Sequence, residues 1–263
     1  MQLPEQWNVP AFSENIFFER NHSYAVVIPV INEGNRIKKQ LQEMQRLAIS
    51  QQADIVIADG GSTDDSLPDA LLRETGVRAL LVKQGAGKLS AQLRMGYAWV
   101  LAQGYEGIIT IDGNGKDSVS SIELFIDALH QGTDYAQASR FIKGGMHENT
   151  PLSRVLAIRL LHAPISSLGA RHWFTDTTQG FRAYSRRYLM DDRVLPFRDC
   201  FMDYELLAYL TVRATRLGYI AREIPTSRIY PADAPPPTKI TSVASHINLL
   251  HTLIAAALGF YNP

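Results

Sequence analysis

Ile108-Ile109-Thr110-Ile111-Asp112-Gly113-Asn114-Gly115-Lys116-Asp117 decides how the chain is read. Four strand-forming residues run directly into an acidic, glycine-bearing turn. A buried strand that ends this way presents oxygen atoms at its carboxyl edge. Hard divalent cations such as Mg²⁺ or Mn²⁺ bind oxygen, and a diphosphate brings more of it. The competing reading is a plain turn, since Asp-Gly and Asn-Gly pairs are common turn formers. The flanking sequence has to decide between them.

Upstream, strand and helix signals alternate. Tyr24 to Val30 is a continuous apolar run, which suits a parallel strand buried on both faces. Asn32-Glu33-Gly34-Asn35 is a turn and helix start, and Ile37, Leu41, Met44 and Leu47 form a helical stripe over Arg36 to Ala48. Asp54 to Ala58 predicts a second strand, Leu67 to Thr75 a helix, Val77 to Val82 a third strand, Lys88 to Gln103 a long helix and Gly107 to Ile111 a fourth strand. Four such alternations predict an α/β, doubly wound, mostly parallel sheet with helices on both faces. Ligands bind such sheets at the carboxyl ends of the strands. The polar, glycine-bearing loops all fall there: Asn32-Glu33, Asp59-Gly60-Gly61, Gly85-Ala86-Gly87-Lys88 and Asp112 to Asp117.

The second half is less regular. Helices are predicted over Ser120 to His130, Arg154 to Leu168 and Tyr204 to Leu217, with short strands over Tyr135 to Arg140 and Tyr219 to Ile224. Pro231 to Pro237 is too proline-rich for regular structure. Ile240 to Phe260 is apolar but contains Ser242, Ser245, His246, Asn248, His251 and Thr252, so it reads as a packed amphipathic helix rather than a membrane span. A membrane-surface or oligomer helix is the alternative. The domain reading is therefore an N-terminal arm over 1–22, partly ordered by Trp7, Phe12, Phe17 and Phe18, a catalytic-type domain over 23–230, a linker over 231–239 and a C-terminal helix over 240–263.

The 263 residues carry 26 Lys plus Arg against 26 Asp plus Glu, a net charge of zero. That argues against nucleic acid, whose binding rests on phosphate neutralisation. The single Cys200 allows no internal disulfide; a reducing cytoplasm and an unreactive or buried thiol are the expectation. Met1 to His22 lacks the pattern of a secretory signal. His147, His162, His172, His246 and His251 show no metal-ligand spacing and read as structural or surface residues. Trp173 and Phe174 read as aromatic core in preference to an acceptor-side wall.

In order along the chain, Val27-Ile28-Pro29-Val30-Ile31-Asn32-Glu33, Ile57-Ala58-Asp59-Gly60-Gly61-Ser62-Thr63-Asp64, Gly85 to Gly96, Ile111-Asp112-Gly113-Asn114, Ala138-Ser139-Arg140 with Gly144-Gly145, Asp176 to Arg182 and Tyr219 to Arg228 resemble the successive motifs of family-2 glycosyltransferases of the GT-A fold. The resemblance is to the dolichyl-phosphate mannosyltransferase-like and bacterial polyprenyl-phosphate sugar transferase branch, and it spans about Val26 to Lys239. It implies a metal-dependent, inverting transferase that takes a sugar from a nucleoside-diphosphate donor (UDP, GDP, dTDP or CDP type). The implied acceptor is a polyprenyl phosphate, a glycan or a small-molecule hydroxyl. The enzyme would be cytoplasmic, with peripheral contact at the inner membrane face and a homo-oligomer both left open. The chain departs from the branch at Asn114, where the motif has a second Asp, and in lacking its C-terminal membrane helices.

The resemblance also distributes roles. Pro29, Asn32, Glu33, Asp59, Gly60, Lys88, Asp112 and Gly113 would hold the nucleotide sugar, with Asp59 accepting from a base N–H. Asp112 and Asn114, helped by Asp117, would hold Mg²⁺ or Mn²⁺ against the leaving diphosphate. Lys88 follows two glycines at a helix start, where amides and an ammonium can face phosphate. Arg140, Gln179, Arg182, Arg228 and Lys239 would bind phosphate or acceptor. Asp203, Asp176 and Glu205 are candidate acids and bases, Asp203 first. Each has a structural alternative: Asp59 and Asp117 as helix caps, Glu33 and Glu205 as dipole partners, the arginines as ion pairs. Two rivals stand beside this reading. A nucleotidyltransferase would need an Arg-Lys pair after the first strand, where this chain has Ile31-Asn32-Glu33-Gly34. A non-catalytic nucleotide-sugar-binding protein is kept in play by Asn114.

Overall fold

A computed structural model describes residues 3–4, 6–230 and 243–263. Ten strands are present: β1 (Phe12–Ile16), β2 (Tyr24–Val30), β3 (Asp54–Asp59), β4 (Val77–Lys83), β5 (Gly107–Thr110), β6 (Tyr135–Ser139), β7 (Met146–Glu148), β8 (Arg182–Ser185), β9 (Ala221–Pro225) and β10 (Ser227–Ile229). The helices are α1 (Asn35–Arg46), α2 (Asp69–Glu74), α3 (Leu89–Ala102), α4 (Ile122–His130), α5 (Leu152–Ala157), α6 (Ala163–Ala170), α7 (Arg186–Leu189), α8 (Glu205–Arg216) and α9 (Val243–Leu258). Eight strands form one sheet in the order β1-β4-β3-β2-β5-β8-β6-β9, and β10 and β7 form a separate parallel pair.

The expected doubly wound architecture is what the chain adopts. β2 is central, parallel to β3 and β5, and every residue in it is buried, as its unbroken apolar run requires. Pro29 is tolerated there because the ladder to β5 stops at Val27 and Thr110, before the proline. One face of the sheet is covered by α3 and α8, with Tyr97, Trp99, Leu206 and Leu210 in its core. The other is covered by α1 and α4, with Ile37, Leu41, Ile122 and Phe125. Gly96 lets α3 lie close on the sheet, since a Cβ there would come 2.9 Å from Val27 Cγ1.

Several details differ from the expectations. The N-terminal arm contributes β1, an antiparallel edge strand whose Phe12 to Ile16 pair with Lys83 to Ala79 of β4. Its polar residues concealed it, because four of its five positions are exposed. β8 inserts antiparallel between β5 and β6, a strand the mixed composition around Gly180 did not announce. The helix expected over Arg154 to Leu168 is interrupted by a π turn at Ile158–His162, just before Pro164. A wider turn accommodates a residue that has no N–H to donate. The expected C-terminal helix is α9, which packs Leu253 and Ala256 against Ala208 and Val212 of α8. No helix among the described residues is long and apolar enough to cross a membrane. Trp173 is exposed while Phe174 is buried, so the expected aromatic core holds for one of the pair. Cys200 is exposed rather than buried; partial desolvation of its thiol pushes the pKa up and keeps it protonated at neutral pH.

Trp99 fastens β1 to this framework: its indole N–H donates to Glu14, and the Arg78 guanidinium stacks 4.8 Å from its ring centre. Trp99→Ala is expected to lower the unfolding free energy by about 3–5 kcal/mol in urea denaturation. It should also raise hydrogen exchange in Phe12 to Ile16 more than in β2.

Candidate active site

The loops at the carboxyl edge are stitched to one another. Asn32 donates its N–H to Ser62 Oγ at 3.0 Å, and Thr63 N–H donates back to Asn32 Oδ1 at 2.8 Å. Gly34 N–H donates to Asp64 Oδ2 at 2.8 Å, and Gly60 N–H donates to Val30 O at 2.8 Å. Asp59 is buried, and its two oxygens accept from Ser62 N–H at 3.1 and 2.9 Å. The carboxylate therefore shapes its own turn, with lone pairs left for another donor. Glu33 pairs with Arg36 at 2.8 Å, the helix-start role. Gln92, which the sequence did not single out, lies inside the edge and donates to Val30 O at 2.7 Å and to Ala58 O. One amide nitrogen thus bridges the carboxyl ends of the paired strands β2 and β3.

Lys88 and Asp203, expected in different roles, meet. Lys88 Nζ lies 2.9 Å from Asp203 Oδ2, with the lysine side chain 77% exposed and the aspartate 19%. Lys88 N–H donates to Met202 O and Ser90 N–H to Asp203 O, each at 2.7 Å, so the start of α3 is sewn to the loop before α8. Asp203 Oδ1 is buried without a hydrogen-bond partner. Glu205 is corrected from acid or base to cap: its Oε2 accepts the N–H groups of Met202 and Asp203 at 2.9 and 2.6 Å.

The Asp176 cluster is a second correction. Asp176 is fully buried, and its Oδ2 accepts from Arg140 Nε at 2.7 Å and from Gln179 Nε2 at 2.8 Å. Arg182 donates to Gln179 O, Thr177 O, Leu207 O and Thr211 Oγ1. Arg140, Gln179 and Arg182 thus hold the chain between β6 and β8, with Arg140 Nη1 left buried without a partner. Lys239 lies outside the described residues.

What the edge does bring together is Asp112, Asn114, Asp117 and Arg228. Ser118 N–H donates to Ser227 O and Ile229 N–H to Lys116 O, each at 3.0 Å, so the turn after Asp112 runs beside β10. This delivers the buried Arg228 to Asp117, whose two oxygens accept from Nη1 at 2.6 and 2.7 Å. Burial opposes the Arg228 charge, but Asp117 and Asp112 outweigh it and raise its pKa. Asp112 is partly open, its side chain 23% exposed, with Oδ2 3.6 Å from Arg228 Nη2. Its Oδ1 faces Gly180, where an added Cβ would come within 2.1 Å. Asn114 donates from Nδ2 to Asp112 Oδ2 at 3.3 Å and accepts Lys116 N–H on Oδ1 at 3.3 Å.

Three cations gather around Tyr230. Lys116 Nζ and the Arg154 guanidinium each lie 5.5 Å from its ring centre, and Arg228 lies 5.8 Å away. The phenol oxygen accepts from Arg154 Nη1 at 3.0 Å. Lys116 stood in the opening segment without a role, and neither Tyr230 nor Arg154 carried a signal for one. A tyrosine before a proline run has no motif, and Arg154 looked like one face of a helix.

Comparison with known proteins follows the geometry. The family described as Glycosyl transferase family 2 matches residues 25–193. Polyprenol monophosphomannose synthase of Mycolicibacterium smegmatis is 27% identical over 203 residues, 76% of this chain and 75% of that protein. Undecaprenyl-phosphate mannosyltransferase of Micrococcus luteus is 26% identical over 204 residues, 76% of this chain and 80% of that one. The crystal structure of glucosyl-3-phosphoglycerate synthase from Mycobacterium tuberculosis with Mn²⁺, UDP and glucosyl-3-phosphoglycerate superposes with a TM-score of 0.56 at 15% identity, covering 90% of this chain and 78% of that one. That likeness shows the fold, and with it the GT-A architecture.

The cations set the acidity of Tyr230. Burial raises its pKa, but Arg228 and Arg154 outweigh burial and bring it down to about 8. An ultraviolet pH titration is expected to show one phenol ionising near pH 8, ahead of the ordinary tyrosines near about 10. Tyr230→Phe should remove that step alone.

Proposed function

The chain belongs to glycosyl transferase family 2, and we propose that it transfers a hexose from a nucleoside-diphosphate sugar to the phosphate of a polyprenyl lipid, inverting the anomeric carbon. One observation carries the acceptor. Arg154 reaches the cationic cluster beside Asp112 from α5, and that same helical stretch exposes Leu152, Leu156, Leu160 and Leu161. An acceptor with an anionic head and an apolar tail fits a charged cluster continuous with an apolar face. The named activities of the two mannosyltransferase relatives support the same class.

In this reading Asn32, Asp59 and Gly60 hold the nucleoside at the ends of β2 and β3, with Asp59 accepting from the base. Gly113 lets the turn after β5 lie directly on β2 beside the proposed donor site: a Cβ on Gly113 would come 3.1 Å from Pro29 O and 2.9 Å from Val30 Cγ2. Lys88 faces the diphosphate. An acceptor phosphate oxygen attacks the anomeric carbon, the bond to the diphosphate breaks, and the electron pair leaves on the nucleoside diphosphate. A phosphate monoester is already ionised, so no base is needed. The positive charge that meets the leaving group lowers the barrier by stabilising charge only as it develops.

A hydroxyl acceptor is the second reading, in which the partly exposed Asp203 carboxylate beside Lys88 would take the proton. Transfer from a panel of radiolabelled nucleotide sugars to polyprenyl phosphate separates the two. With a phosphate acceptor, Asp203→Asn should keep activity within about tenfold, because the step has no proton to remove. Loss of a general base would cost about 10²–10⁴-fold. Asp112→Ala should abolish transfer in either case.

The apolar row continues through Leu168 and Trp173, respectively 80% and 69% exposed, with Arg159 and Arg171 exposed among them. This face would rest on an anionic membrane surface, each basic residue contributing about 1 kcal/mol. Leu160→Glu with Leu168→Glu is expected to shift the protein from pellet to supernatant when sedimented with anionic vesicles. Turnover of a short-chain, water-soluble acceptor should be unchanged; equal sedimentation of variant and parent would remove this face from the reading.

A further inference from the structure

The family context calls for a divalent cation at Asp112, and the side chains around Asp112 do not suit one. Mg²⁺ and Mn²⁺ take about six oxygen ligands, of which a protein usually supplies one or two carboxylates while substrate phosphates and water supply the rest. Of the three expected ligands here, Asp117 gives both oxygens to Arg228 Nη1 at 2.6 and 2.7 Å and is fully buried. Asn114 already uses its oxygen on Lys116 N–H and turns its amide nitrogen to Asp112. Asp112 alone is open, and its Oδ1 is closed in by the backbone at Gly180. Among the described residues, no group of three or more His, Cys, Asp and Glu side chains is arranged to hold a metal ion.

Cations occupy the surroundings instead. Arg228 Nη2 lies 3.6 Å from Asp112 Oδ2, and Lys116 is buried beside the same two carboxylates and Tyr230. A divalent ion at Asp112 would meet the like charge of Arg228 at close range, which weakens its hold there. A diphosphate entering the same place would be attracted by both side chains. Arg228 cannot swing aside without leaving Asp117 buried and unpaired, a strongly destabilising change.

We infer that in this chain Lys116 and Arg228 supply the positive charge facing the donor's diphosphate, in place of a divalent cation. Asp112 then serves to hold Arg228 Nη2 and Asn114 in position rather than to ligate a metal. The inference rests on the transferase reading for the identity of the donor, and on the side-chain geometry for the rest.

The test is calorimetric binding of UDP and GDP to the full chain, in chelator and in Mn²⁺, for the parent, Lys116→Gln and Lys116→Arg. The parent is expected to bind one nucleotide with affinities in the two buffers within about threefold, less than the tenfold that 1.4 kcal/mol represents. Lys116→Gln should weaken binding in chelator by about tenfold or more, and Lys116→Arg should restore most of it. Electron paramagnetic resonance of Mn²⁺ with protein alone should show the ion free in solution. Binding that disappears in chelator and returns with Mn²⁺ overturns the inference, as does a Lys116→Gln protein of unchanged melting temperature that binds like the parent. The sugar-transfer assay separates this from the reading beneath it. Transfer that requires Mn²⁺ overturns the inference and leaves the transferase standing. Chelator-resistant nucleotide binding without transfer to any acceptor upholds the inference and overturns the transferase.

Discussion

The buried ion pair between Arg228 and Asp117 is the contact on which the candidate site depends. Taking a guanidinium and a carboxylate out of water is costly, and the pair is tolerable only if geometry and further hydrogen bonds compensate. Both conditions hold: Nη1 donates to both oxygens of Asp117, Nη2 lies near Asp112, and Nε donates to the Tyr230 hydroxyl. A hydrophobic substitute for the pair would be as stable in principle, but it would not specify where two distant segments meet. Residues 117 and 228 are 111 positions apart, and the pair fixes the register in which β10 lies along the turn after β5.

From that register the rest of the edge follows. The turn that holds Asp117 also holds Asp112 and Asn114, and its path beside β10 places Lys116 against Tyr230. On the other side of the site, Gln92 bridges the ends of β2 and β3, and the Asn32–Ser62 and Gly34–Asp64 bonds keep the loops after these strands together. The site therefore sits where the doubly wound sheet opens, with most of its shape set by hydrogen bonds within loops and little by contacts across the opening. Such a frame has its polar groups aligned before a substrate arrives, which is where electrostatic catalysis gains most.

The sequence made the left half of this picture legible. Continuous apolar runs gave β2 to β5, and the helical stripe gave α1, because period and burial are written directly into residue order. Asp112 was legible as the open carboxylate because it ends a buried strand. The arginines were misread for a physical reason: Arg140 and Arg182 occupy motif positions, and a sequence cannot tell a guanidinium that faces a phosphate from one that faces Asp176 or a row of carbonyls. Burial decides, and burial here comes from β8, a strand that local composition did not reveal. Glu205 was missed as a cap because the residues it caps, Met202 and Asp203, carry no helix signal of their own. Lys116 and Tyr230 needed the tertiary contact between β10 and the turn before either could acquire a role.

The character of the cluster also bears on the proposed transfer to a phosphate, which would need no base. A transferase that joins a sugar between two phosphates must bring two anions to opposite sides of one carbon. Their mutual repulsion is the main obstacle to assembling the reactants, and removing a proton would do nothing to relieve it. Positive charge does relieve it, and fixed side chains do so without the reorganisation that water would require. Arg154 approaches from the helix with the exposed leucines, while Arg228 and Lys116 lie toward Asp112, so charge is available on both sides. Three cations converging on a phenol would repel one another in an empty site; Asp112, Asp117 and the raised acidity of Tyr230 offset that repulsion only in part. The remainder is a standing attraction for anions, and it is strongest where the proposed donor and acceptor phosphates would meet.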